Sequence, residues 1–245
     1  VRQYKASECL RHAVELDARL RAESSDSTAV TDELAHSLRL LLPGAAHLPW
    51  DKFEQVCTTY EQLRYATGVV ALGLASAHAV DPSDAAVSFR ADGCPADEPM
   101  SHRQAMYALR RRIYALVLRA LRDDAEAMRQ ALASDDALFH EELYTYMIAH
   151  GKTSELLSSP TPFLEDFLQG TPVLLDGESL ETYERRLRDL LWQWYVRQGE
   201  YLAAAQTLDA LAHTDTYALH LYERIEYLAL AVGNVSKLGG PVKWP

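Results

Sequence analysis

Several segments carry apolar residues at helical spacing on more than one face, and this pattern limits the chain to a layered, all-helical fold. In the segment 136–150, one stripe contains Phe139, Leu143, Tyr146, Met147 and His150, and a second contains Leu138, Tyr144 and Ile148. A helix with apolar residues on two faces is buried on two sides. The segment 179–197 shows the same pattern. Because such helices need neighbours on both sides, the sequence predicts an irregular α-solenoid of stacked antiparallel helix hairpins.

The clearest predicted hairpin spans residues 191–205, with Gly199 at its turn. The small residues Ala203 and Ala205 allow the second helix to approach the first closely. The hairpin is loosely similar to a tetratricopeptide unit, but no strict period recurs elsewhere in the chain. The sequence therefore favours stacked hairpins without a regular repeat.

Breaks in the helical pattern indicate how the chain is organised. We expect one solenoid segment over residues 1–233, with flexible loops near 22–30, 82–100 and 170–178, and a last helix over about 215–232. The tail 234–245 is expected to be non-helical. Whether it is a frayed end, an artificial extension or an extended peptide on the surface stays open. The chain begins at Val1 rather than Met, so we expect it to be part of a longer protein.

Composition excludes some classes of function. The 245 residues carry a net charge of -11, which argues against a general nucleic-acid binder, because such a protein needs a basic surface. Three widely spaced cysteines give no disulfide framework and favour a reducing compartment. The longest apolar run, residues 69–80, is shorter than the roughly 20 residues that span a bilayer, so we expect a buried helix rather than a membrane span.

One predicted helix, residues 101–122, is strongly basic within this acidic chain. Its six arginines are Arg103, Arg110, Arg111, Arg112, Arg119 and Arg122. Arginine is suited to carboxylate or phosphate recognition. We favour a solvated face whose charges pair with Asp123, Asp124 and Glu126, because charge runs on helices are usually solvated.

Motifs that would support catalysis are incomplete. Gly151-Lys152-Thr153 resembles the end of a phosphate-binding loop, but Tyr146 stands where the upstream glycine is needed. His140-Glu141-Glu142 begins like a zinc-protease motif, but Tyr144 replaces the second histidine. We therefore expect no enzyme activity, no cofactor and no metal. An active site assembled from scattered residues stays as an alternative.

Three groups of segments resemble one protein family. The first group is residues 134–148, Ser-Asp-Asp-Ala-Leu-Phe-His-Glu-Glu-Leu-Tyr-Thr-Tyr-Met-Ile, followed by Leu156-Leu157 and by residues 159–165, Ser-Pro-Thr-Pro-Phe-Leu-Glu. The second is residues 189–195, Asp-Leu-Leu-Trp-Gln-Trp-Tyr, with residues 224–229, Arg-Ile-Glu-Tyr-Leu-Ala. The third begins at residues 53–57, Phe-Glu-Gln-Val-Cys. In order and number, these segments resemble the large non-repetitive scaffold nucleoporins of the inner ring of the nuclear pore complex.

The resemblance implies a part of the C-terminal helical solenoid of such a protein, without the β-propeller that contacts the membrane. It implies a structural role in the nuclear pore complex at the nuclear envelope, in support of nucleocytoplasmic transport. The implied partners are linker nucleoporins of the Gly-Leu-Phe-Gly type, held through linear motifs, and neighbouring inner-ring scaffold nucleoporins. An alternative is a coat or trafficking solenoid adaptor that shares only the architecture.

Aromatic side chains are the expected anchors for a peptide lying in a groove between stacked helices. The candidates are Tyr144, Tyr146, Phe163, Phe167, Tyr183, Trp192, Trp194 and Tyr195. Large apolar residues at helical spacing usually face the core, so core packing is the competing interpretation for each.

Overall fold

The computed structural model describes residues 27–95, 101–122, 124–159, 161–170 and 179–238, and these residues form α-helices with no β-strand. The chain divides into two compact units, with the boundary between Leu143 and Tyr144. The all-helical fold and its stacked hairpins are as predicted from the sequence. The assignment of residues 1–233 to one solenoid segment stays a prediction.

In unit 1, residues 1–143, the described elements are α1 (Ser27–Leu41), a 3-10 helix (Leu42–His47), α2 (Trp50–Gln62), α3 (Ala66–Val80), α4 (Ala85–Ala91), α5 (His102–Ala120), α6 (Ala125–Leu132) and the first part of α7 (Ala137–Ala149). Unit 2, residues 144–245, contains the rest of α7, then α8 (Thr153–Ser158), α9 (Leu164–Gln169), α10 (Leu180–Gln198), α11 (Tyr201–His213) and α12 (Leu221–Ser236).

Side-chain caps define where several of these helices begin. The Ser101 hydroxyl accepts the backbone N–H of Gln104 at the start of α5, and the Ser179 hydroxyl accepts that of Thr182 at the start of α10. The Asp124 carboxylate accepts two backbone N–H groups at the start of α6. Each cap satisfies N–H groups that have no partner within the first helical turn.

Helix α3 lies at the centre of the core of unit 1. Val69, Val70, Leu72 and Ala77 are completely buried. The side chain of Val117 on α5 packs directly against Gly73. A Cβ atom at position 73 would lie only 2.2 Å from the Cγ2 of Val117, so only glycine leaves room for this contact. The apolar run 69–80 is therefore a buried helix, as expected from its length.

A buried arginine joins the helix ends that surround this core. Arg110 of α5 donates hydrogen bonds to Asp81 (3.2 Å), Asp84 (3.2 Å), Asp136 (2.8 Å) and the hydroxyl of Tyr114 (2.7 Å), and its side chain is only 3% exposed. Burial alone would lower the pKa of Arg110, but Tyr114 and Asp136 outweigh it and raise that pKa, so the guanidinium stays charged.

The other arginines of the basic helix also have partners, though not the predicted ones. Arg119 pairs with Glu61, Arg111 with Glu142 and Arg103 with Asp92, while Arg112 stacks on the ring of Trp50 at 3.8 Å from its centroid. Asp124 instead caps α6, and Glu126 pairs with Arg129. The expected pairing of the arginines with Asp124 and Glu126 is thus wrong, because α5 packs between neighbours that bring their own carboxylates to it. Asp123 lies outside the described residues.

Helix α2 ends in an unusual backbone conformation. Arg64 has a φ of 57°, the left-handed region in which glycine is favoured. The N–H of Arg64 bonds to the carbonyl of Glu61, and that of Tyr65 bonds to the carbonyl of Tyr60, at 2.8 Å. These two bonds close the helix end and hold Arg64 in a conformation that costs a residue with a Cβ atom roughly 1–2 kcal/mol.

Unit 2 is built on the predicted hairpin. Gly199 adopts a φ of 80° at the turn between α10 and α11, and the next N–H, of Glu200, bonds to the carbonyl of Tyr195 at 2.9 Å. Helix α11 then packs against α12 through a cluster that consists of Ala205, Leu208, Leu211, Ala212, Tyr227 and Ala231.

Several predicted loop boundaries need correction. Helix α1 begins at Ser27, inside the loop expected near 22–30, and α4 forms within the loop expected over 82–100. Helix α12 begins at Leu221 rather than near 215, because a capping box of His220 and Glu223 sets its start. It continues to Ser236, into the tail expected to be non-helical from 234. Helical periodicity also predicts a first helix over about residues 3–21. That segment, the loop residues 171–178 and the tail residues 239–245 lie outside the described residues.

We predict that Arg110→Met lowers the free energy of unfolding by about 3–5 kcal/mol, because it leaves the buried carboxylate of Asp81 without its cation. The matched control is Arg129→Met, which removes an exposed pair with Glu126 and should cost at most about 1 kcal/mol. Urea unfolding followed by circular dichroism measures both. Equal losses in the two variants would show that the Arg110 cluster does not stabilise the fold.

Replacement of Arg64 by glycine should instead raise the free energy of unfolding. Arg64→Gly removes the cost of the left-handed conformation, and we expect the free energy of unfolding to rise by about 0.5–1 kcal/mol. Arg64→Ala removes the same charge but keeps a Cβ atom, and should change stability by less than about 0.5 kcal/mol. The same urea titration separates the two variants, and a destabilised Arg64→Gly would contradict the prediction.

Candidate peptide-binding groove

A groove opens in unit 2 beside α9, α10 and α11. Its volume is about 530 Å³, within the usual range of ligand-binding clefts. We call it the peptide groove. It is lined by Gln169, Arg188, Leu191, Tyr195, Gln206, Thr207, Ala210, Leu211, Thr214 and Tyr217.

The floor of the peptide groove is apolar and held in a fixed position. Leu191, Tyr195 and Leu211 are buried. The hydroxyl of Tyr195 donates to Glu165 (2.7 Å) and accepts from the side-chain amide of Gln169 (2.8 Å). Burial, strengthened by the hydrogen bond to Glu165, raises the pKa of Tyr195 to about 12, so its phenol stays neutral at physiological pH. The floor therefore offers an uncharged apolar surface to a side chain entering from solvent.

The rim of the groove is polar. Arg188 donates to the backbone carbonyls of Leu168 (3.1 Å) and Gln169 (2.8 Å), which places its charge at the carboxyl end of α9. Gln206 is exposed, and its side-chain amide can both donate to and accept from a peptide backbone. The amide nitrogen of Gln169, which is also exposed, already donates to Glu165 and Tyr195, so its carbonyl oxygen remains as an acceptor. An apolar floor with a rim of hydrogen-bonding groups suits an extended peptide that inserts an apolar side chain.

Burial separates the eight aromatic candidates into two groups. Tyr144, Tyr183 and Tyr195 are buried. The hydroxyl of Tyr144 donates to Thr161 at 2.6 Å, and its ring meets the edge of the Phe167 ring at 5.2 Å. Burial raises the pKa of Tyr144 to about 12. Tyr144 and Tyr183 thus occupy the interior of unit 2, while Tyr195 is the one candidate of the eight that lines the peptide groove.

The remaining candidates, Tyr146, Phe163, Phe167, Trp192 and Trp194, are half-buried. Tyr146 stacks on His150, with ring centroids 4.0 Å apart, and Trp194 packs on Tyr195 at 5.3 Å. Trp192 packs against the cluster between α11 and α12. They do not line the groove, so a role for them in peptide binding stays a prediction.

Sequence reasoning missed most of the groove lining. Tyr217 lies in the segment between α11 and α12 that was expected to be helical, where its half-buried ring reaches the groove. Burial raises its pKa, and Arg188 partly offsets this shift. Leu191 and Leu211 were not among the predicted anchors. The available signal was the large aromatic ring itself, because such rings are seldom fully exposed.

Helix α12 presents a second apolar surface, the α12 stripe, which runs through Leu221, Ile225, Leu228 and Val232 at helical spacing. Leu221 is 73% exposed, Ile225 57% and Val232 70%. Large apolar side chains exposed together on one helix face are uncommon unless another chain element covers them. The stripe is therefore a second candidate surface for a partner.

Two other kinds of site are not seen. No group of histidine, cysteine and carboxylate side chains within the described ranges is arranged to hold a metal ion. None of the described helices combines the length and the apolar character needed to cross a bilayer.

The fold and the groove define a class, that of helical scaffold proteins that present grooves between stacked hairpins. The model of the family described as "Non-repetitive/WGA-negative nucleoporin C-terminal" matches residues 1–241. The chain belongs to this nucleoporin family.

Relatives support the same assignment. Nup154 of Drosophila melanogaster is 26% identical over 262 residues, which cover 94% of this chain and 18% of the fly protein. The solved structure of Chaetomium thermophilum Nup170 SOL superposes with a TM-score of 0.78 and 29% identity, covering 96% of this chain and 31% of that one. The C-terminal domain of the same Nup170 in complex with Nup145N gives a TM-score of 0.71 and 27% identity, covering 96% and 45%. The chain thus spans less than a fifth of the length of the fly relative.

The two groups of residues should respond differently to truncation. Tyr144→Ala empties a fully buried position and should lower the free energy of unfolding by about 3–4 kcal/mol. Gln206→Ala shortens an exposed side chain on the groove rim and should change it by less than about 0.5 kcal/mol. Thermal and urea unfolding measure both. A Tyr144→Ala protein of unchanged stability would argue that Tyr144 belongs to a binding surface rather than to the core.

Proposed function

We propose that this chain is a structural part of the inner-ring scaffold of the nuclear pore complex, at the nuclear envelope, where it supports nucleocytoplasmic transport. Membership of the nucleoporin family over residues 1–241 carries the proposal. The likeness to Nup154 and Nup170 supports it, because these relatives match over nearly the whole chain. Family membership also favours the pore over a coat or trafficking adaptor.

Binding of a linear motif from a linker nucleoporin is the proposed activity. The Nup170 C-terminal domain, which is similar to this chain, has been crystallised with Nup145N. We propose that this chain likewise holds a linker of the Gly-Leu-Phe-Gly type, and that it also contacts neighbouring inner-ring scaffold nucleoporins. Nucleic acid and membrane are not proposed as direct partners.

The peptide groove is the proposed place of this contact. An apolar side chain of the motif would bury itself against Leu191, Tyr195 and Leu211, where most of the affinity would arise. The side-chain amide of Gln206 and the side-chain carbonyl oxygen of Gln169 would pair with the backbone of the motif. Since these groups come from helices α9, α10 and α11, the groove is formed before the peptide arrives, which limits the entropy lost on binding.

No catalytic role is proposed. Tyr60 and Cys57, whose pKa values burial raises to about 12, lie in the core of unit 1. A catalytic site is expected to gather such groups in an open cleft with polar partners. Here the shifts follow from burial in the core and are explained by the packing of the fold.

A pair of arginine substitutions separates the two candidate surfaces. Ala210→Arg places a long charged side chain in the peptide groove, at an exposed position of α11. We expect it to weaken binding of the cognate linker segment at least tenfold, a loss of about 1.4 kcal/mol. The matched control is Ala229→Arg, an exposed position of α12 outside the groove, which should bind like the unmodified chain. Isothermal titration calorimetry with purified linker segments measures both.

The control also tests the α12 stripe. If Ala229→Arg abolishes binding while Ala210→Arg does not, the linker docks on the stripe and the groove assignment is wrong. If no linker segment binds the folded chain, the linker-binding part of the proposal fails. A pull-down that recovers vesicle-coat proteins and no nucleoporin would favour the adaptor alternative instead.

A further inference from the structure

A second cleft opens in unit 1 where α2 ends, α3 begins and α5 leads into α6. Its volume is about 610 Å³, and it is lined by Glu61, Arg64, Ala66, Arg119, Ala120, Arg122 and Asp124. We call it the arginine cleft. Three of its seven lining residues are arginines, although the chain as a whole carries a net charge of -11.

The two carboxylates of the arginine cleft already have partners. Glu61 accepts two hydrogen bonds from the Nε of Arg119, at 2.8 and 3.1 Å. Asp124 accepts the backbone N–H groups of Glu126 (3.0 Å) and Ala127 (2.9 Å) as the cap of α6. Their negative charge is therefore compensated locally, and the surplus charge in the cleft is positive.

Arg64 and Arg119 keep donors for a ligand. The hydrogen bonds of Arg119 to Glu61 both start from Nε, and its two terminal nitrogens donate no hydrogen bond within the described residues of unit 1. In the part of the chain that the structure describes, the Arg64 guanidinium has no hydrogen bond or ion pair, and this residue is exposed. A guanidinium presents its N–H groups in a planar fork that matches the oxygens of a carboxylate or a phosphate.

The backbone at Arg64 gives a further reason to look for a ligand. The residue stands in the left-handed conformation that glycine would adopt at lower cost. Non-glycine residues held in this region often occur at functional sites, where the side chain offsets the cost of the conformation. Among the residues that the structure describes, its guanidinium forms no hydrogen bond or ion pair, so such bonds do not account for arginine at this position.

We propose that the arginine cleft binds an acidic segment of a partner protein through the carboxylate or phosphate oxygens of its side chains. Arg64 and Arg119 supply the donors and Arg122 adds positive charge to the lining, while Glu61 and Asp124 fix the positions of Arg119 and the start of α6. The cleft lies in unit 1, so this contact is separate from that in the peptide groove of unit 2 and is tested separately.

The experiment follows the arginine side chains by nuclear magnetic resonance. The ¹⁵N-labelled chain is titrated with a short peptide of glycine and glutamate, with the same peptide carrying phosphoserine for glutamate, and with a glutamine version as the uncharged control. We expect the Nε–Hε signals of Arg64, Arg119 and Arg122 to move with one or both charged peptides and not with the glutamine peptide. The stronger of the two charged peptides identifies the source of the oxygens.

The variants make the test independent of folding. Arg64→Gly should weaken peptide binding at least fivefold while the melting temperature rises by about 2 °C, a combination that a purely structural role does not produce. Arg103→Gln is the control. It also removes one positive charge, but from the far end of α5, about 24 Å from Arg119 along the helix axis. It should bind like the unmodified chain.

Three results would overturn the proposal. The first is the absence of signal changes with either charged peptide. The second is a set of equal changes at the exposed arginines outside the cleft, such as Arg129 and Arg197, which indicates general charge attraction. The third is unchanged affinity in Arg64→Gly.

Discussion

The buried guanidinium of Arg110 is the interaction on which the arrangement of unit 1 depends. Its partner Asp81 ends α3 and also accepts the backbone N–H groups of Ala85 (2.8 Å) and Ala86 (2.9 Å), where α4 begins. Its partner Asp136 accepts the N–H of Phe139, where α7 begins. One cation therefore balances two carboxylates that are already committed to helix ends. The starts of α4 and α7 are thereby held against α5, because separating a buried charge from its partners costs several kcal/mol of stability, roughly 3–5.

A comparable cluster fixes α12 in unit 2. Arg185 of α10 donates to Glu223 (2.8 Å), and the hydroxyl of Tyr227 donates to Asp189 (2.9 Å), so that α10 and α12 are joined at two points. Glu223 also accepts the N–H of His220, and this bond, with Arg185, lowers the pKa of Glu223. Because this polar face is turned to α10, the apolar α12 stripe is left on the outside.

The sequence predicted the helices well where caps and periodicity agree. Helix α10 was predicted to within one residue at each end and α5 to within two, because Ser101 and Ser179 are ordinary caps before strongly periodic segments. Helix α4 was missed because it is short and lies among loop residues. Its first N–H groups are capped by Asp81, four residues before Ala85, rather than by the residue directly before the helix. The start of α12 was misplaced because Asp215 is a more usual N-cap residue than His220, which caps the helix in the structure.

The candidate sites were less accessible to sequence reasoning. Periodicity shows that Tyr144 and Tyr195 are on apolar helix faces, but it does not show that one face meets the core and the other borders an opening. Both clefts gather residues from several separate elements, such as Gln169, Leu191 and Tyr217 in the peptide groove. The arginines illustrate the same limit, since Arg119 finds its partner Glu61 at a distance of 58 positions along the chain. Only the packing of the helices brings such residues together.

The turn at Gly199 bears on how the protein is made. It joins α10 to α11 through two residues, so the contacts between these helices are close in sequence and cost little loop-closure entropy. Local contacts form quickly, and helical hairpins of this kind fold in microseconds to milliseconds. A ribosome adds residues far more slowly, at about 5–20 per second. The α10–α11 hairpin can therefore close while later residues are still being synthesised, so that α12 meets a surface that is already in place.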